Sequence, residues 1–242
     1  TYLHWLKHLP EEVLRVHPRI RLGHIVSLTM GRQILAAAEQ IALIHQFRSS
    51  YDEEVNRELD RTTDLVFCCC KALQDEAHLA EPQITRWLEQ WNDIRHYHQP
   101  NDFHYELGFA WLVKGYCAKC RSAFPVAQNA LTQAHNHFQA YGSPWGQAWV
   151  RSMLTVNYAR QGFHYEALQE ATEAYKLVQE NLGEKSHPGC GLAALIAAIH
   201  YEIDELGAAE HYVQDTLEPL KEQSATDLLI AAFETRARLM MH

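Results

Sequence analysis

Residues 149–174 read WVRSMLTVNYARQGFHYEALQEATEA, and the order of large and small residues in this stretch decides the fold. On both sides of Gly162 the apolar positions recur every three or four residues, the period of an amphipathic helix, and Gly162 breaks the run. Leu154 and Tyr158 are large, whereas Ala167, Ala171 and Ala174 are small. Small side chains at helical spacing let a second helix approach closely, so the stretch predicts two antiparallel helices joined by a tight turn.

The same register extends outward. Aligning the small residue inside each second helix gives Ala38, Ala127, Ala167 and Ala209. The last three lie 40 and 42 residues apart. The 89 residues between Ala38 and Ala127 leave room for two units. The second of these places its equivalent near Gln83, where no alanine stands, so that repeat reads as degenerate. The hairpin resembles a tetratricopeptide repeat, lengthened from the usual period of about 34 residues by longer helices.

Amphipathic stretches fill the rest of the chain. They run over 2–9, 11–16, 18–29, 33–47, 54–74, 83–98, 102–120, 123–140, 144–160, 164–181, 188–204, 207–222 and 225–241. Pro10, Pro18, Gly31, Pro82, Pro100, Gly142-Ser143-Pro144, Gly162, Gly183 and Pro188 punctuate them. No interruption is long or polar enough to be a linker, so the expectation is one domain over 1–242, an all-α superhelix of five to six helical hairpins. Eleven glycines and eight prolines in 242 residues are too few for a β-sandwich or barrel, which needs turn residues every 8–12 positions or so.

With 21 Lys+Arg against 30 Asp+Glu the net charge is −9, and basic residues occur at most as isolated pairs, which argues against a nucleic-acid surface. No apolar run approaches the roughly 20 residues that cross a bilayer, and the amino end lacks a signal-peptide pattern. A soluble, reduced, cytoplasmic setting is expected for the six cysteines. Cys117 and Cys120 form a C-x-x-C inside a helical pattern with no second pair. Cys68, Cys69 and Cys70 point in three directions around a helix. All five read as packing residues, not metal ligands. G-x-S-x-G, H-E-x-x-H, G-x-x-x-x-G-K-[ST] and G-x-G-x-x-G are absent, and no enzyme is expected. The His-Tyr-Glu triplets at His104, His164 and His200 fall at different phases of the repeat, so the histidines read as mostly solvated surface residues.

Stacked hairpins usually carry function on the face lined by their first helices. Transferring the tetratricopeptide register puts Phe109, Tyr116 and Lys119 of the third pair there, with Trp149, Ser152 and Arg160 of the fourth and Tyr201 and Glu202 of the fifth. Aromatic faces, a hydroxyl and charges of both signs make a lining for a small polar ligand or a partner segment. Trp149 offers a stacking surface, and Arg160 on the same helix offers a fork for a carboxylate or phosphate.

Two further segments carry a family resemblance. The opening has Trp5-Leu6, Leu9-Pro10-Glu11-Glu12-Val13-Leu14 and His17-Pro18-Arg19-Ile20. It resembles the W-L-x-x-L-P-x-E-x-x-x-x-x-P-x-L segment of large ATP-dependent LuxR-type transcriptional regulators of the MalT kind. Gly191-Leu192-Ala193, Tyr201-Glu202, Asp204, Leu206 and Ala208-Ala209-Glu210 resemble that family's G-L-A-x-x-x-x-A-x-x-x-Y-E-x-N-D-L-x-x-A-E signature. Ile203-Asp204-Glu205-Leu206 departs from the usual N-D-L by one residue of shuffling. The resemblance implies a helical-repeat sensor region that receives a small-molecule inducer or a regulatory protein. It also implies a parent protein that binds ATP on an N-terminal module, self-associates, and reaches DNA through a C-terminal helix-turn-helix. Neither module is in this stretch of sequence, and no cofactor is expected within it.

Overall fold

The computed structural model describes residues 6, 8–223 and 226–242; Trp5 of the opening motif lies outside the described residues. Among the described residues there are thirteen α-helices and no strand. The chain forms two compact units, residues 1–96 and 97–242. The first contains α1 (Glu11–Val16), α2 (Pro18–Met30), α3 (Ile34–Phe47), α4 (Glu53–Leu73) and α5 (Ala77–Trp91). The second begins with α6 (Pro100–Cys120), α7 (Phe124–Tyr141), α8 (Pro144–Ala159) and α9 (His164–Asn181). It continues with α10 (His187–Glu202), α11 (Leu206–Val213), α12 (Leu217–Gln223) and α13 (Thr226–Leu239). Consecutive helices pack in pairs, so the all-α class and the hairpin repeat expected from residues 149–174 hold.

One turn recurs five times within hairpins, and a sixth time at Gly142 between α7 and α8, where the Ser143 N–H donates to the Phe138 carbonyl at 2.9 Å. Within the hairpins Arg32, Asp75, Ser122, Gly162 and Asp204 all have positive φ, between 55° and 81°. The next backbone N–H in each case donates five residues back: Gln33 to Leu28, Glu76 to Lys71, Ala123 to Ala118, Phe163 to Tyr158 and Glu205 to His200, over 2.8–3.1 Å. This left-handed cap satisfies carbonyls that the helix end would otherwise leave unpaired. It sets the same reversal between α2 and α3, α4 and α5, α6 and α7, α8 and α9, and α10 and α11. Five residues after the left-handed residue of each hairpin stands a fully buried alanine: Ala37, Ala80, Ala127, Ala167 and Ala209.

These alanines correct the first two repeats. In α3 the buried position is Ala37, while Ala38 is exposed. In the second hairpin it is Ala80 and not the region of Gln83, because α5 starts at Ala77 and carries Pro82 in its interior. A proline there removes one N–H from the helix ladder, yet the helix continues to Trp91. The stretch expected over 207–222 is two helices, broken at Thr216, whose hydroxyl donates to the Val213 carbonyl at 2.9 Å.

Start signals are local. Asp52 accepts from the Val55 N–H at 2.8 Å and Ser143 from that of Gly146 at 3.1 Å, each relieving one orphan donor. Pro18, Pro100 and Pro144 open their helices where no N–H is needed. In the first unit Leu22, Ile25, Leu28, Ala37, Ile44, Leu59, Val66 and Cys70 form one core cluster. In the second, Phe138 of α7 is fully buried between Gly108 of α6 and Gly146 of α8.

Ala167→Leu is expected to overpack the α8–α9 hairpin at a cost of about 1–3 kcal/mol, while Glu184→Ala, on an exposed connection, stays near neutral. Urea unfolding of both variants checks the register, and equal losses would refute it.

Candidate functional site

The eight residues assigned to the inner face all lie in the second unit, where they fall into three clusters. The first is a band of rings. Phe109 is buried and stands edge-on to Phe138 at 5.2 Å, with Trp145 at 6.1 Å. Trp145 lies 5.8 Å from Trp149, which lies 5.9 Å from His187. Trp149 is half-buried against Val156, Leu195 and Leu228, and its indole Nε1 is enclosed without a hydrogen-bond partner. Burial pushes the His187 imidazole below its ordinary range. Ser152 offers no hydroxyl to a ligand, because it is buried and donates to the Ala148 carbonyl at 2.9 Å.

The second cluster is ionic. Lys119 is only 1% exposed, and its ammonium pairs with Asp227 of α13. Its Nζ also sits 4.5 Å from the centre of the Tyr116 ring, a cation–π contact. Arg160 donates to the other Asp227 oxygen at 2.9 Å. Helix ends explain why these charges converge. Lys119 is in the last turn of α6 and Arg160 caps α8, where cations are favoured, whereas Asp227 is in the first turn of α13, where anions are favoured.

The third cluster closes the end of α10. Glu202 accepts from Arg238 at 2.7 Å, the same guanidinium lies 5.5 Å from the Tyr201 ring, and the Tyr201 hydroxyl meets His242 at 3.0 Å. Each cluster is thus tied by a residue the sequence reading did not select: Trp145, Asp227 and Arg238. Asp227 lies 108 residues from Lys119, beyond the reach of any local spacing rule.

Helix α13 connects the first two clusters. Leu228, next to Asp227, packs on Val156 of α8 and Leu195 of α10, with Trp149 and Ala231 at the rim. A Cβ on Gly191 would come 2.7 Å from Leu228, so the glycine of the G-L-A motif is what lets α13 lie this close. The face assigned to a ligand therefore carries the chain's own last helix between α8 and α10.

Cys68, Cys69, Cys70 and Cys117 are buried, as expected of packing residues, but Cys120 is exposed. Burial pushes the Cys68 thiol up to about 12. Among the described residues no group of three potential ligands is placed to hold a metal. A chelator is expected to leave Tm unchanged, and elemental analysis to find less than one zinc per chain; one tightly held zinc would overturn the packing assignment.

Eight of the fifteen described histidines are exposed and none is fully buried, as the surface reading expects, but a minority is partly enclosed. His104 and His137 meet Nδ1 to Nδ1 at 3.1 Å, and His135, His164 and His187 each enclose an unpartnered ring nitrogen. Burial lowers His135 and His137, with Arg151 and His104 respectively adding to the effect.

No family model matches the chain, and no curated protein matches it in sequence. In fold it is similar to the crystal structure of BtubC (BKLC) from P. vanneervenii. The TM-score is 0.57 at 14% identity, covering 87% of this chain and 85% of that one. At that identity the likeness is one of helical fold. Among the described residues no helix is long and apolar enough to cross a membrane.

Proposed function

We propose that the chain is the helical-repeat sensor and interaction region of a MalT-like, LuxR-type transcriptional activator, with no enzymatic activity of its own. On this reading it takes a small inducer or a regulatory protein on the first helices of the second unit. It works in the cytoplasm, within a parent that self-associates, binds ATP upstream and contacts DNA downstream. The observation that carries the site is the convergence of Lys119 and Arg160, from successive first helices, on a single carboxylate. Such a pair recognises an anionic group, and the aromatic band beside it supplies apolar faces. The motif residues support the family less specifically than the hairpin, since Gly191 serves packing and Asp204 the left-handed turn.

A second reading, a tetratricopeptide-like scaffold for protein partners alone, is favoured by α13. It is a helix lying against α10, with Asp227 and Leu228 as its contacts to Lys119, Arg160 and Leu195. This is the helix-in-groove mode of peptide recognition.

The parent gene product tests the family directly, through a P-loop upstream and a helix-turn-helix downstream. A thermal-shift screen of sugars, organic acids and amino acids tests the site, because a ligand held only by the native state raises Tm. Arg160 is exposed, so Arg160→Ala is expected to weaken the selected ligand by more than about tenfold, or 1.4 kcal/mol, while costing no more than about 1 kcal/mol of stability. Trp149→Ala is expected to lower Tm as well, because the indole packs on Val156 and Leu195. Unchanged affinity in Arg160→Ala would remove the site.

A further inference from the structure

Helix α13 has two apolar faces, and only one of them is covered. Leu228 packs on Leu195, and Ala232 beside Cys190 and Ala194, all of α10. On the other side stand Ile230 at 54% and Phe233 at 48% exposure, with Ala237 exposed and Met241, in the turn that follows, at 79%. Three- and four-residue spacing puts them in one stripe. A helix that ends a repeat stack needs a polar outer face, and this one is apolar. It buries three of its fourteen residues, whereas α10, flanked by α8, α11 and α13, buries eleven of sixteen.

Two relations place α13 in the repeat. It runs parallel to α10 and in register with it: Leu228 lies against Gly191, Ala232 beside Ala194, and Arg238 pairs with Glu202, offsets of 37, 38 and 36 residues. Its end then begins the hairpin turn. In the five hairpins the left-handed residue donates three residues back: Arg32 to Thr29, Asp75 to Ala72, Ser122 to Lys119, Gly162 to Ala159 and Asp204 to Tyr201. Met241, 37 residues after Asp204, donates to Arg238 in the same way at 3.1 Å. The residue before it, Met240, donates four back to Arg236, as Ile203 does to Ile199. Met241 lacks the positive φ of the other five, so the turn is begun and left open.

Counting back from the turn residue shows what α13 lacks. Gly115, seven before Ser122, abuts Leu131 of α7. Arg151, eleven before Gly162, pairs with Glu170 and Glu173 of α9. His200, four before Asp204, stacks on Tyr212 of α11. A first helix thus turns these positions toward its own second helix. The same positions before Met241 are Glu234, Ile230 and Ala237, and all three are exposed.

We propose that α13 is the first helix of a sixth hairpin, and that its outer face is the docking surface for that hairpin's second helix. The occupant follows His242 in the parent chain and runs antiparallel to α13. It presents small residues five, nine and twelve positions after Met241, as α9 presents Ala167, Ala171 and Ala174 after Gly162. Such residues let the returning helix close on Ile230 and Ala237. The inference shares with the proposed function only a parent that continues beyond His242, and depends neither on the family nor on the Lys119–Arg160 site.

Hydrogen exchange of α13, compared between the parent protein and this 242-residue chain, tests the proposal. The amides from Ile230 to Leu239 are expected to exchange at least about tenfold more slowly in the parent, where the second helix covers them. Ile230→Glu is expected to abolish that difference, because docking would bury its charge, and to leave exchange in the 242-residue chain as it was. Leu35→Glu, at an 83% exposed position of α3, leaves the difference intact. Equal exchange in parent and chain would overturn the proposal, as would a parent sequence without small residues at the three stated positions. Protection of α13 that disappears when the parent is diluted would assign the face to a second copy and overturn it equally.

Discussion

Asp227→Ala is expected to cost about 3–5 kcal/mol, because it leaves the Lys119 ammonium buried with no opposing charge. Lys119 is 1% exposed and Asp227 13%, so neither end of the pair is repaired by water. The Tyr116 ring beneath Nζ compensates only in part, by about 2 kcal/mol for a desolvated cation. Arg160 shares the same carboxylate from an exposed position, so Arg160→Ala is expected to cost no more than about 1 kcal/mol. The pairing itself is a different quantity from the loss on breaking it. Replacing both partners, as in Lys119→Met with Asp227→Leu, removes two desolvated charges and is expected to leave stability close to the parent's. Urea midpoints at constant m-value for the two single variants and the double read this out. A neutral Asp227→Ala would mean that Lys119 reaches solvent by another route.

How much of this was legible in the sequence depends on the range of each interaction. The fourth hairpin was readable because Gly162 marks its turn, and a positive φ is what glycine adopts without strain. The other four turns have the same backbone but use Arg32, Asp75, Ser122 and Asp204, so they carry no comparable signal. Their likeness shows only once the backbone bonds from Gln33, Glu76, Ala123 and Glu205 are in place. The first repeat was shifted by one residue because Ala36, Ala37 and Ala38 are equally small, and only packing against α2 and α4 selects Ala37. The second was shifted because Pro82 reads as a stop, although α5 absorbs the missing hydrogen bond.

The site was legible in its parts but not in its assembly. Lys119 and Arg160 were found by register, since each ends a first helix. Asp227 follows from neither, because a contact across 108 or 67 residues depends on where α13 lies and leaves no periodic trace. Ser152 was placed on the ligand face as a free hydroxyl, but a serine inside a helix readily returns its proton to the carbonyl four residues back, as this one does to Ala148.

The second large effect lies at Phe138, and a cycle of variants separates its two causes. The ring is fully buried, with Phe109 edge-on at 5.2 Å. Phe138→Ala is expected to cost about 3–5 kcal/mol, from lost burial and from the cavity left between α6 and α8. The ring fits there only because both neighbouring helices present glycine. A Cβ on Gly108 would come 2.9 Å from the ring, and one on Gly146 would come closer still. Gly146→Ala alone is therefore expected to cost about 1–3 kcal/mol by overpacking, although alanine is the better helix former by up to about 1 kcal/mol. In the Phe138→Ala background the obstruction is gone, so the same Gly146→Ala change should be neutral or stabilising. The two substitutions are thus expected to be non-additive by roughly 1–3 kcal/mol, the range for residues in direct contact. Strict additivity would place Gly146 away from the ring, and with it the approach of α8 to α7 on which the stacking of the third and fourth hairpins rests.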